Sequence, residues 1–182
     1  ILITTDGKRK IDLPQPYEII QGSLQDIKNT IKENTGVLLP LIQEAVPIIN
    51  NELLAELKKQ QPTKHNSRWI IESTRTSLDL IQQWLEDKDD SNIAGLAYSL
   101  IMRLRGLKLL QALIERKQYT NKHLLDELKK HYLNNQLYNL YKEKKDNKAL
   151  THHNLNLQDI EKLHKYTKQI LKTTEKQWEK LR

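Results

Sequence analysis

Arg103 stands where charges rarely do. At about 100° per residue, Leu96, Leu100, Leu107, Leu110 and Ile114 fall on one side of a helix, with Arg103 at the centre of that stripe. A charge in such a place is normally paired or put to use. The planar fork of arginine suits a carboxylate and a phosphate equally well, so two chemistries are open. One is an internal ion pair, with Asp79 or Asp146 as the acid, that holds helices in register. The other is a contact to the phosphate of a nucleotide or nucleic acid. Gly95, Ser99 and Gly106 are small neighbours that would let a helix or a ligand come close.

Two further sets of side chains could meet an anion. In Tyr138–Lys148, Tyr141 shares a face with Leu137, and Lys144, Lys145 and Lys148 follow within one or two turns. Aromatic rings interleaved with lysines can hold a base and its phosphates, although lysines near a helix end also complement its dipole. Near the C-terminal end of the sequence, Lys165, Lys168, Lys172, Lys176 and Lys180 form a ridge about 23 Å long. Lys168 and Lys172 at its middle are candidate backbone contacts, and binding there would be salt-sensitive. The plainer reading of both runs is a solvated surface. Arg105 and Lys108, alongside Glu115 and Arg116, are likewise expected to face solvent.

Catalytic chemistry finds little support. His152 and His153 fall in a loop and His164 on the helix after it, with no cysteine or carboxylate set to complete a metal site. Paired carboxylates for acid–base work and a glycine-rich phosphate loop are both missing from the sequence. No catalytic residue and no metal ligand is assigned.

These side chains must be positioned by helices. Asp6-Gly7 between Ile1–Thr5 and Lys8–Leu13 signals a hairpin, and Tyr17–Ile20 reads as a third short strand. Ser23, with Asp26 three residues on, should cap a first helix, with Gly36 just past its end. Val37–Val46 reads as a second helix with Pro40 in its first turn, Ile48-Ile49 as a very short strand, and Glu52–Gln60 as a third helix. After the linker 61–67, every segment is helical. Ser67 should cap Arg68–Asp87, and Ser91 the central helix to Lys117. Further helices follow from Asn121 and Gln136, and Asn156 caps the last. The expected architecture is mainly α: an antiparallel four- or five-helix bundle over 68–182, preceded by a small α/β segment over 1–60.

Bulk properties narrow the class. The 182 residues carry a net charge of +7, 37% hydrophobic and 29% charged residues, with a mean hydropathy of −0.72. Residues 1–116 hold 15 Lys/Arg against 15 Asp/Glu, so the whole excess falls in 117–182, a hint of an anionic partner. With no cysteine there is no disulfide framework and no thiolate chemistry. No run approaches the roughly 20 apolar residues of a membrane span. No membrane partner is therefore expected, and the cytoplasm is the expected compartment. The sequence opens inside what reads as a strand, as a piece of a larger protein would.

The run AYSLIMRLRGLKLLQALIERKQYTNKHLLDEL (Ala97–Leu128) followed by LYNLYKEKKDNK (Leu137–Lys148) resembles archaeal predicted nucleotidyltransferases. These join a DNA-polymerase-β-like core to a helical domain similar to the HEPN (higher eukaryotes and prokaryotes nucleotide-binding) bundle. The matching residues are Arg103-Leu104-Arg105-Gly106 and Tyr141 through Lys145-Asp146-Asn147. The resemblance covers roughly Ser67–Arg182. It implies a bundle that holds a nucleotide or nucleic acid for a catalytic partner domain, with Arg103 and Lys145 as phosphate contacts and Tyr141 as a stacking surface. The catalytic core of that family needs a Gly-Ser turn followed by an Asp-x-Asp pair that holds magnesium. Gly22-Ser23 occurs here without the aspartates, so 1–60 would be a remnant of such a core, and no magnesium site is expected. Ribonucleases of the HEPN group use Arg-x(4–6)-His, which Arg116 and His123 match in its loosest form, and a homodimer would be needed to pair them. A helical protein-interaction or assembly module is the other reading, with Arg103 structural and the lysines solvated.

Overall fold

A computed structural model of the chain describes residues 2–4, 20–88, 90–132, 136–145 and 155–182. Among them are strands β1 (Leu2–Thr4) and β2 (Ile20–Gly22) and helices α1 (Leu24–Glu33), α2 (Thr35–Glu44), α3 (Asn51–Lys58), α4 (Lys64–Glu86), α5 (Ile93–Ile114), α6 (Asn121–Tyr132), α7 (Gln136–Lys145) and α8 (Leu157–Trp178). The protein is mainly helical, a bundle preceded by a small α/β segment. β1 and β2 pair in parallel, with Leu2 opposite Ile20. The Asp6-Gly7 hairpin turn and residues 17–19 of the expected third strand lie outside the described residues, and β2 includes Ile20.

Helix α5 is the axis of the bundle. Leu100, Ile101, Leu104, Leu107 and Leu110 are fully buried, because its apolar residues cover most of its circumference and helices pack on several sides. α4 runs antiparallel to it. α8 runs antiparallel to α4, with His164 Nε2 bonded to the Leu78 carbonyl at 2.9 Å and Arg75 Nε to Glu175 at 2.7 Å. α8 therefore points the same way as α5, where Gln177 donates to Glu115 at 2.9 Å. α6 and α7 together make the returning arm, from the end of α5 back to Tyr98 near its start, which Tyr141 reaches. Thr74 of α4 and Thr167 and Thr174 of α8 are all buried. Each gives its hydroxyl to the carbonyl four residues earlier in its own helix, at 2.7–2.8 Å, so none of these three hydroxyls is stranded.

The opening helices share the bundle's packing. Ile27, Ile31, Leu38, Leu39, Ile42 and Leu57 form a second core with Leu113 from the last turn of α5. Ser23 caps α1 in a capping box with Asp26, as its spacing indicated. Asn34 ends α1 and starts α2 at once, so Gly36 lies inside α2 rather than past α1. Pro40 consequently sits in the second turn of α2, two residues deeper than the sequence suggested. Ile48 and Ile49 form no strand and are more than four-fifths exposed.

The boundary at 61–67 is also corrected. α4 begins at Lys64 under a capping box of Thr63 and Asn66, because that pair satisfies orphan backbone donors that Ser67 would leave open. Asn66 is buried, and its amide also donates to the Ile31 carbonyl at 3.1 Å, tying α1 to α4. Similarly Asn92, not Ser91, caps α5.

Candidate functional site

Arg103 lies where α4 and α5 meet and is half-buried. Its Nε donates to Ser77 Oγ at 3.0 Å and its Nη1 to Ser73 Oγ at 3.2 Å. Its guanidinium carbon stands 5.7 Å from the centre of the Trp69 ring, in cation–π range. Ser73 and Ser77 are one turn apart and share a face of α4, which is why both reach the same fork. Among the described residues no carboxylate pairs with Arg103. Asp79 is exposed on α4 and makes no contact with it; Asp146 lies outside the described residues. The expected ion pair to Asp79 is therefore replaced by two neutral hydroxyls, which occupy two of five N–H donors and supply no counter-charge themselves.

The arginine opens onto a cleft of about 170 Å3 between α2, α4 and α5. Val37, Trp69, Ile70 and Met102 form its apolar walls, and Gly36 and Gly106 leave it room. Trp69 is 58% exposed and Val37 52%, unusual for large apolar side chains beside a cation. A Cβ on Gly106 would meet only Ile70, at 3.8 Å, so the helix would tolerate alanine there. Asn34 and Gly36, at the N-terminal end of α2, also line the cleft, and no carboxylate among the described residues does.

The other proposed contacts separate from it. Tyr141 is only 3% exposed, with Leu137 and Leu140 in the main core. It stacks on Tyr98 with ring centres 6.2 Å apart and is tilted against Tyr138 at 6.1 Å. The face it shares with Leu137 is the core face, so it offers no ring to a base. Lys144 is exposed on α7, the side chain of Lys145 and all of Lys148 lie outside the described residues, and Lys168 and Lys172 stand on the solvent side of α8. Arg103 thus shares no surface with the α8 ridge.

Lys108 does not face open solvent. Its ammonium bonds Glu127 of α6 at 2.5 Å, the two side chains being 20% and 16% exposed. Glu127 also accepts from Tyr119 at 3.4 Å and from Tyr166. Burial, then the Glu127 charge and hydrogen bond, push the Tyr119 phenol above its ordinary range. This knot joins α5, α6 and α8, a structural task that nothing in the spacing of Lys108 announces. His123 accepts from the Thr120 backbone N–H at 3.0 Å and stacks on Tyr119, so its ring serves the start of α6. The described residues contain no cluster of three His, Asp or Glu able to hold a metal ion, and none of their helices is long and apolar enough to cross a membrane.

Trp69 is the side chain that sequence reasoning passed over. It falls off the face defined by Ile70, Leu78 and Ile81, and a large aromatic off the core face was itself the available signal. No family model matches this chain, and neither a curated protein nor a solved structure resembles it at a significant level.

Proposed function

We propose that this chain is a nucleotide- or nucleic-acid-binding helical domain in which Arg103 is the phosphate contact. The observation that carries the reading is a half-buried guanidinium held by two serine hydroxyls and, among the described residues, no carboxylate, at the wall of a cleft. Removing a cation from water without an anion is costly, and a phosphate from outside would supply the missing charge in bidentate geometry. The open face of Trp69 replaces Tyr141 as the stacking surface. This agrees with what the resemblance to the helical domain of nucleotidyltransferases implies, and a catalytic partner would then lie on another domain or chain.

Titration with a mononucleotide, read by tryptophan fluorescence at two salt concentrations, tests it. Binding should weaken with salt and fall roughly 10- to 100-fold in Arg103→Ala, since a hydrogen bond to a charged group is worth about 1.5–3 kcal/mol. The variant should stay folded, at a cost of about 1–2 kcal/mol, because Ser73 and Ser77 can turn back to carbonyls of their own helix. If Arg103→Ala unfolds the bundle and the wild type binds no nucleotide, Arg103 is structural.

A protein-interaction module would use the same place, since Val37, Trp69 and Met102 present apolar surface together. It predicts capture of a partner that high salt leaves intact.

A further inference from the structure

A second cleft, of about 360 Å3, opens beside the first, where the C-terminal ends of α3 and α5 come together. Lys58, Lys59, Arg116 and Lys117 line it together with three glutamines, and no carboxylate among the described residues does. Leu113 lines both clefts. They are therefore two stations on one seam between α2 and α5. From Arg103 to Arg116 it spans about 20 Å at about 1.5 Å per residue.

The cations are arranged rather than scattered. Lys58 is spoken for: its ammonium donates to the Ala45 carbonyl at 2.9 Å, and Gln43 donates to the Lys58 carbonyl at 2.9 Å. These two bonds fix one wall. Lys117 is paired with Glu115 at 2.7 Å. Lys59 and Arg116 make no side-chain hydrogen bond or ion pair with any described residue, so both are available to a ligand. The carbonyl ends of two helices partly offset the mutual repulsion of the four charges.

Arg116 has a defined backbone setting. It follows the cap of α5 with φ of 55°, its N–H bonding Leu113 and that of Lys117 bonding Ala112. This is the Schellman turn, whose left-handed position is normally glycine. Lys88 takes the equivalent left-handed position after α4; what distinguishes Arg116 is that its exposed side chain stands in the wall of a cationic cleft.

Resting on the Arg103 reading above, we infer that the ligand class is a single-stranded nucleic acid lying along the α2–α5 seam, with one nucleotide at Trp69 and Arg103 and following backbone phosphates at Lys59 and Arg116. At about 3.4 Å per stacked nucleotide, the seam takes about six. A mononucleotide reaches only one station.

The test compares a mononucleotide with a fluorescein-labelled single strand of about ten nucleotides, RNA or DNA, within the range of sites on single-strand-binding folds. The strand should bind at least tenfold more tightly than the mononucleotide. Arg116→Gly and Lys59→Ala should each weaken strand binding and make its salt dependence shallower by about 0.7 per lost phosphate contact, with mononucleotide affinity unchanged. Arg116→Gly should raise the melting temperature, so its loss of binding cannot be ascribed to unfolding. The inference is overturned if both ligands bind equally, or if the two variants bind the strand as the wild type does. It is also overturned if inorganic polyphosphate competes as well as the strand. Strand binding lost in Arg103→Ala but kept in Arg116→Gly would spare the Arg103 reading while sinking this one.

Discussion

Tyr119 shows how one side chain can tie stability to pH. In the folded protein its phenol holds its proton above the usual tyrosine range, chiefly through burial and then through Glu127. In the unfolded chain it ionises near pH 10. The stability this difference provides is fully present below about pH 10 and is lost as pH rises further, by at most about 1.4 kcal/mol per pH unit. Tyr119→Phe should therefore lose less stability than the wild type between about pH 10 and 12, measured by urea denaturation at each pH. Equal losses would mean that the phenol ionises freely in the folded state. That Arg103 is unusual was legible from its place in the apolar stripe. Its partners were not, because periodicity says which side of a helix is apolar without saying which helix faces it. Ser73 and Ser77 could be named only once α4 was seen to lie there.

At the scale of elements, α5 carries two kinds of surface, and Gly106 marks the line between them. Glycine in a helix interior costs about 0.5–1 kcal/mol relative to alanine, and the space around it would accept a Cβ. Gly106→Ala should raise the thermal midpoint while weakening nucleotide binding, because the added methyl enters the cleft beside Arg103. A more stable variant that binds as tightly would show that the opening is not used. The helices were readable from periodicity, and the caps of α1 and α8 from Ser23 and Asn156, whereas Thr63 and Asn92 stand in place of the expected Ser67 and Ser91. Gly36 was misread because a C-terminal glycine signal and a helix-interior glycine look alike until the next cap, here Asn34, is located. Tyr141 was misread for a related reason: it shares its face with Leu137, and that apolar neighbour, rather than the lysines beyond it, decided its surroundings.

For the whole molecule, Leu113 binds the opening helices to the bundle. The three tryptophans, Trp69, Trp84 and Trp178, all lie on α4 and α8, whereas circular dichroism reports α1–α3 as well. A shared core predicts coincident urea transitions by the two probes, the signature of a single cooperative unit. A helical signal that melts before the fluorescence would mean that α1–α3 unfold alone. A chain cut to 64–182 should melt lower, since it strips cover from Leu113 and loses the α2 wall of both clefts. The charge tally pointed to 117–182, yet the seam draws cations from α3 and α5 as well. Net charge by segment cannot show which lysines the fold gathers and which it leaves apart on α8.

The buried threonines of α4 and α8 have a consequence for how such a chain can change over generations. Each hydroxyl is satisfied within its own helix, so its packing against neighbouring helices depends on shape rather than on matched partners. Valine has that shape. Thr74, Thr167 and Thr174 can each drift singly, in any order, with no compensating change in a neighbouring helix, while the bond from His164 to the Leu78 carbonyl keeps α4 and α8 in step. Ancestry should therefore be hard to read from this part of the core, even among proteins that keep the same arrangement of α4, α5 and α8.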